Sequence, residues 1–237
     1  DTIVGNGAIT LAATALTDVD LQNATGVQTI NATGASLGSF SDAAGVVAVR
    51  AMNNAAIDAT TRANGLTVYT FAAQTDTWTG GSGADNFKFD SAGTLVALDT
   101  IVGGLGANTI TIGNETLSDA GTIGEATAAT LDAVSTVQKV VIADGATDNA
   151  AGDVTLTITN TSYDQTSMEV DGSALDAGEV FTFDASAITA IDEAFVVTGG
   201  GAGDTIIGGS GKDTIVGGAG ADVDPWVKRV LHPKPLH

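Results

Sequence analysis

The chain has 237 residues, 31 of them glycine, and carries 28 acidic against 8 basic residues, a formal charge of −20. Aromatic residues make up 5 % and cysteine is absent. This balance argues against nucleic acid as a partner, rules out disulfide stapling, and leaves a core built from Ala, Val, Ile and Leu. Only five acids are Glu, so aspartate dominates, as it does in turns and in calcium loops. No stretch reaches the roughly 18 apolar residues of a membrane span.

The chain opens on Asp1-Thr-Ile-Val-Gly5, and the same five residues return at Asp99–Gly103 and Asp213–Gly217. It therefore reads as a piece of a longer polypeptide that begins inside a motif, with no signal peptide at its start. Runs rich in Val, Ile and Thr predict strands at Val27–Ala32, Leu66–Phe71, Val137–Ile142, Val154–Thr159, Val180–Phe183 and Ala194–Thr198. The Ala-rich stretches Ala43–Ala63 and Thr116–Ala133 predict short helices. Leu21–Gly34 and Leu131–Gly145 share a Val-Gln pair followed by a strand-like run and a glycine, which suggests a duplicated module of roughly 100 residues.

Nine-residue segments of the form G-G-x-G-x-D-x-U-x, with U a large apolar residue, punctuate this pattern. Gly80–Lys88 and Gly208–Val216 fit fully. Gly103–Thr111 has Asn108 for Asp, Gly199–Ile207 has Ala202 for the third glycine, and the nine beginning at Gly217 has Asp224 where U belongs. The nines before the first two keep only Asp76 with Trp78 and Asp99 with Ile101 in register. Composition alone gives roughly 0.05 copies of GGxGxD in a chain of this size, against three intact ones. The first six residues of each nine predict a tight turn, and the last three a short strand with one inward apolar side chain.

Stacked coils would place the Asp carboxylates above one another, and a hard divalent cation would remove their repulsion. Glycine lets backbone carbonyls become ligands alongside them. The candidate calcium ligands are therefore Gly80, Gly81, Gly83 and Asp85; Gly103, Gly104, Gly106 and Asn108; Gly199, Gly200 and Asp204; Gly208, Gly209, Gly211 and Asp213; Gly217, Gly218, Gly220 and Asp222; with Asp76 and Asp99 from the partial nines.

Catalytic patterns are absent. There is no HExxH and no GxSxG, and "GGSGKD" at 208–213 lacks the Ser or Thr of a phosphate-binding loop. Both histidines lie in the last thirteen residues, with all three prolines and three of the eight bases. That segment, 225–237, reads as a foreign or disordered tail.

These nines resemble the RTX family of secreted bacterial proteins. The resemblance implies an all-β fold, a parallel β-roll or β-solenoid with calcium-binding coils and intervening β-rich modules, and type I secretion to the cell surface or medium. It implies Ca²⁺ between turns eighteen residues apart, so that the turn 199–204 shares an ion with 217–222. The turn 208–213 lies on the other edge without a full partner. The expected domains are 1–112, ending in repeat-like coils from about 71; 113–198; a roll at 199–224; and the tail. A looser resemblance, to surface-layer proteins and large adhesins, implies a non-enzymatic building block that associates with further copies, with cell-surface polysaccharide as a further candidate partner. Two alternatives stand beside it: the non-catalytic calcium roll of a secreted enzyme, and a glycan-binding module.

Overall fold

The computed structural model describes residues 4–8, 16–22, 25–70, 75–89, 95, 99–113, 127–143, 153–159 and 167–223. The tail 225–237, the first part of the expected helix at 116–133 and Asp224 lie outside the described residues.

The strands form a β-solenoid, and every pairing among them is parallel. After β1 (Val4–Ala8), the long strands β2 (Thr25–Ser36) and β3 (Ala48–Asp58) run across both faces of the coil, with helix α1 (Ser39–Ala44) between them. The first half of β3 pairs with β4 (Thr67–Thr70) and its last three residues with β5 (Thr77–Thr79). Asn54, at φ +54°, sits where β3 changes face, a conformation that Asn tolerates better than most residues.

From there the strands are short and alternate between faces. One face continues through β6 (Asn86–Phe89), β8 (Thr109–Ile112), β11 (Lys139–Ile142), β13 (Ser167–Asp171), β15 (Ala194–Thr198) and β17 (Thr214–Val216). The other continues through β7 (Thr100–Val102) and β10 (Val134–Ser135). It resumes in a four-stranded sheet of β9 (Thr127–Thr130), β12 (Val154–Thr157), β14 (Phe181–Asp184) and β16 (Thr205–Ile207).

The U positions of the nines become ladders. Val49, Val68, Phe87, Ile110, Val140, Val170, Val197 and Ile215 pair in unbroken register along one face. Ile57, Trp78 and Ile101 do so on the other, followed in the second sheet by Leu156, Phe183 and Ile206. All are buried except the last rung, Ile215, which is half-buried. One rung is worth about 1.5–3 kcal/mol of transfer free energy, so the fold depends on stacking many. Trp78 is core, stacked on Phe89 with ring centroids 4.9 Å apart.

The six expected strands are present, with ends moved by a few residues. The helix expected over 43–63 is corrected to β3: α1 reaches only Ala44, and Val49, Ala51, Ala55 and Ile57 are buried in the strand. Residues 127–130 of the second expected helix are likewise a strand. Burial in a stacked coil overrides the helix propensity of alanine.

Candidate calcium-binding turns

The turns lie on two edges. Turns 80–85, 103–108 and 208–213 occupy one; turns 199–204 and 217–222 occupy the other, where Asp76 and Asp99 also lie, just before β5 and β7.

Every sixth-position residue makes the same contact. A side-chain oxygen accepts a hydrogen bond from the backbone N–H at the same register one coil earlier. On the first edge Leu66 N donates to Asp85 Oδ1 (2.7 Å), Asp85 N to Asn108 Oδ1 (2.9 Å) and Asn108 N to Gln138 Oε1 (2.7 Å). Farther along, Phe195 N donates to Asp213 Oδ1 (2.9 Å). On the second edge Ala55 N donates to Asp76 Oδ1 (2.6 Å) and Asp76 N to Asp99 Oδ1 (2.8 Å). Phe181 N donates to Asp204 Oδ1 (2.8 Å) and Asp204 N to Asp222 Oδ1 (3.0 Å). The second oxygen turns back into its own nine, where Gly81 N donates to Asp85 Oδ2 (2.9 Å) and Gly200 N to Asp204 Oδ2 (2.6 Å).

Each glycine of the repeat has its own reason. A methyl group at the first position, at Gly80, Gly199, Gly208 or Gly217, would collide with Oδ2 of Asp85, Asp204, Asp213 or Asp222 in the same nine. At Gly103 it would meet Nδ2 of Asn108 at 2.6 Å. The second and fourth positions press on the preceding turn: Gly81 on the carbonyl oxygens of Arg62 and Ala59, Gly83 on Asn64, Gly200 on Leu175, Gly209 on Ile188 and Gly211 on Glu193.

Two turn pairs share a further feature. Gly104 and Gly218 have φ of +82° and +96°, and the carbonyl oxygens of Gly80 and Gly81, and of Gly199 and Gly200, lie against them. Gly106 and Gly220 face the carbonyl oxygens of Gly83 and Ala202 in the same way. The pair 199–204 and 217–222 is thus stacked as expected, eighteen residues apart. The equivalent pair 80–85 and 103–108 is 23 residues apart, a correction to the uniform spacing, because the connection through residue 95 is longer. Turn 208–213 does have a neighbour, the non-repeat turn before β15, where Ser210 N donates to the Ile188 carbonyl (2.9 Å) and Glu193 is buried.

Burial sets the electrostatics. Asp76, Asp85, Asp99, Asn108 and Asp204 are at most 3 % exposed, Asp213 is half-buried and Asp222 is exposed. Burial pushes the Asp76 carboxyl up to about 6, against the N–H of Ala55, and Asp99 adds repulsion. Burial also raises Asp85, opposed by the N–H groups of Leu66 and Gly81 and by Arg62. It raises Asp204 against the N–H groups of Phe181 and Gly200, with Asp222 repelling. Among the described residues no three acidic or histidine side chains converge as a metal cluster. A hard cation here must therefore draw mainly on carbonyl oxygens, which suits calcium's six to eight oxygen ligands. The two glycine-walled turn pairs supply carboxylate and carbonyl oxygens together, so the residues present fit that ion.

Three residues outside the repeat template belong to this arrangement. Thr136, at φ +53°, accepts from Gly104 N through Oγ1 (2.9 Å). Gln138 continues the first ladder, and the recurring Val-Gln pair was its trace in the sequence. Arg62 lies beneath turn 80–85, with nothing local in the sequence to mark it.

The RTX calcium-binding nonapeptide repeat matches this chain in four copies, over residues 98–111 and 196–223. The chain thus carries RTX calcium-binding repeats, and calcium is their ion. Turn 80–85 lies outside the matched residues, yet it forms one half of a stacked pair whose other half lies within them. Comparison with characterised proteins and with solved structures gives no match.

Proposed function

We propose that the chain is a non-catalytic structural segment of a secreted or cell-surface bacterial protein, with calcium holding its coils and joining it to further copies. The observation that carries the reading is the pair of stacked turns in which glycine carbonyls and sixth-position carboxylates meet, at 80–85/103–108 and at 199–204/217–222. Ions at these two places would neutralise Asp85 in one and Asp204 with Asp222 in the other. Asp76 with Asp99, stacked through Asp76 N and Asp99 Oδ1, and Asp213, whose turn lies on the Glu193 backbone, are secondary positions, since neither has the paired glycine walls.

Two further points support a structural role. The solenoid offers long regular faces of stacked parallel strands. Bodies this acidic repel one another at long range, so contact between copies needs a bridging cation. Light scattering and negative-stain microscopy across a calcium titration test the reading. Ordered assemblies are expected with millimolar Ca²⁺, and poorer ones with Mg²⁺, which demands tighter geometry. A chain that stays monomeric at high concentration in calcium would leave the accessory roll of a secreted enzyme as the better account.

A further inference from the structure

On the edge that carries turns 80–85 and 103–108, two earlier turns lack the glycine-aspartate repeat. One contains α1; the other spans 59–65. They stack as the repeat turns do, but with the later turn donating to the earlier: Ala63 N donates to Asp42 Oδ2 (2.9 Å), Thr61 Oγ1 to the Leu37 carbonyl (3.3 Å) and, one turn on, Ser82 N to the Arg62 carbonyl (2.9 Å). Between them lies Arg62, 1 % exposed. Its Nη2 donates to the Val46 carbonyl (2.7 Å) and stands 3.0 Å from Asp42 Oδ1. Nη1 donates to Ser41 Oγ (3.0 Å) and Nε to the Asn64 carbonyl (3.4 Å). Two carbonyls, a hydroxyl and a carboxylate are the kinds of oxygen that surround calcium. Burial lowers the guanidinium's pKa while Asp42, Asp85 and Asp18 oppose that, and an arginine in such company keeps its charge.

We propose that Arg62 is a built-in cation occupying, between the α1 turn and turn 59–65, the place that calcium takes between repeat turns. The coils up to residue 66 therefore stay folded without calcium. They present the Arg62 carbonyl and the Leu66 N–H as a fixed edge on which the first calcium-binding turn, 80–85, assembles. The inference rests on the calcium reading of the repeat turns. It adds a boundary: calcium loss unravels the solenoid from its C-terminal side and stops at the coil holding Arg62.

Hydrogen exchange and limited proteolysis with a broad-specificity protease, read by mass spectrometry in chelator, test this on the whole chain. The wild type is expected to keep protected amides through residues 25–66 and to lose them beyond 99. Arg62→Met, which keeps much of the stem and removes the charge, is expected to speed cleavage of that segment at least tenfold in chelator. Arg62→Lys is expected to restore part of the protection. Even digestion of the chelated wild type from end to end overturns the proposal, without any variant. So does an Arg62→Met chain as well protected as the wild type. Circular dichroism of the same samples keeps the two ideas apart. An identical β signal with and without calcium would overturn the calcium reading itself, whereas a calcium-dependent signal without a protected N-terminal segment overturns only the role of Arg62.

Discussion

The turn pairs 80–85/103–108 and 199–204/217–222 share one backbone design and differ in charge and surroundings. In the first, Asp85 faces Asn108, and the stack is closed on one side by the turn holding Arg62 and on the other by Thr136 and Gln138. In the second, Asp204 faces Asp222, and Asp222 is exposed at the last described coil. The glycines therefore set the geometry, while the sixth residue sets how much positive charge the pair requires. Two carboxylates bind calcium more tightly than one, and they repel each other more when it is gone.

The comparison predicts its largest effect on chelation. The coils from 199 onward should lose protection at higher free calcium than the coils around 80–112, because the repulsion of their two carboxylates, with no arginine or amide to close the stack, outweighs their tighter hold on the ion. Hydrogen exchange along a calcium titration would show two transitions in that order. A single transition would mean that both pairs act as one unit.

A second break targets the apolar ladder. Ile206→Asp places an unpaired charge at a rung that is 1 % exposed, with a cost on the order of 3–5 kcal/mol. It should abolish the C-terminal coils at any calcium level. Ile215→Asp should be milder, since Ile215 is half-buried. Circular dichroism with urea titration would rank the two, and equal tolerance would mean that the nine-residue register is misplaced.

A third substitution sharpens the charge difference. Asn108, a candidate calcium ligand, offers an amide oxygen without charge in place of a carboxylate. In the structure that oxygen already accepts from Asp85 N, and Nδ2 donates to the carbonyls of Thr136 (3.0 Å) and Leu105 (3.2 Å). Asn108 thus ends the run of carboxylates as much as it continues it. Asn108→Asp turns a carboxylate oxygen towards two carbonyls, which should destabilise the calcium-free protein by about 1–3 kcal/mol. Asp222→Asn, at an exposed position, should weaken calcium binding with little effect on melting in chelator. Calorimetric titration and melting curves of both variants would separate these outcomes.

These residues also show how much was legible beforehand. The nine-residue period made the repeat turns, the inward U positions and the parallel solenoid readable, because glycine, aspartate and one apolar residue recur at fixed spacing. The intervening coils are of unequal length, so period alone did not reveal that they continue the same ladders, and alanine composition pointed to helix where β3 lies. The closing residues of the first pair were hidden for another reason. Arg62 reaches back 16 to 21 residues to Val46, Asp42 and Ser41, and Thr136 and Gln138 reach back 32 and 30 residues to Gly104 and Asn108; of the three, only Gln138 leaves a sequence trace, in the recurring Val-Gln pair.

The smallest expected effect concerns protons. The Asp76 carboxyl, raised by burial from 3.8 to about 6, holds a proton in the folded chain that the unfolded chain has released between those values. Stability without calcium should therefore rise as pH falls from about 6 towards 4, the reverse of ordinary acid denaturation. Above about 6 the folded state bears the full cost of the buried charge. Below about 4 both states are protonated and the gain is complete. Asp85 and Asp204, also raised by burial, add in the same direction, while Asp18, whose burial is outweighed by the N–H groups of Ser41, Phe40 and Gly38, is lowered and works weakly against them. Calcium changes the sign, because a bound ion must displace the same protons and its affinity falls as pH falls. Melting temperatures across pH 4–7 should then slope in opposite directions in chelator and in millimolar calcium. Parallel slopes would mean that the buried carboxylates of the ladders do not take part in holding the ion, and that the two turn pairs bind it through carbonyl oxygens alone.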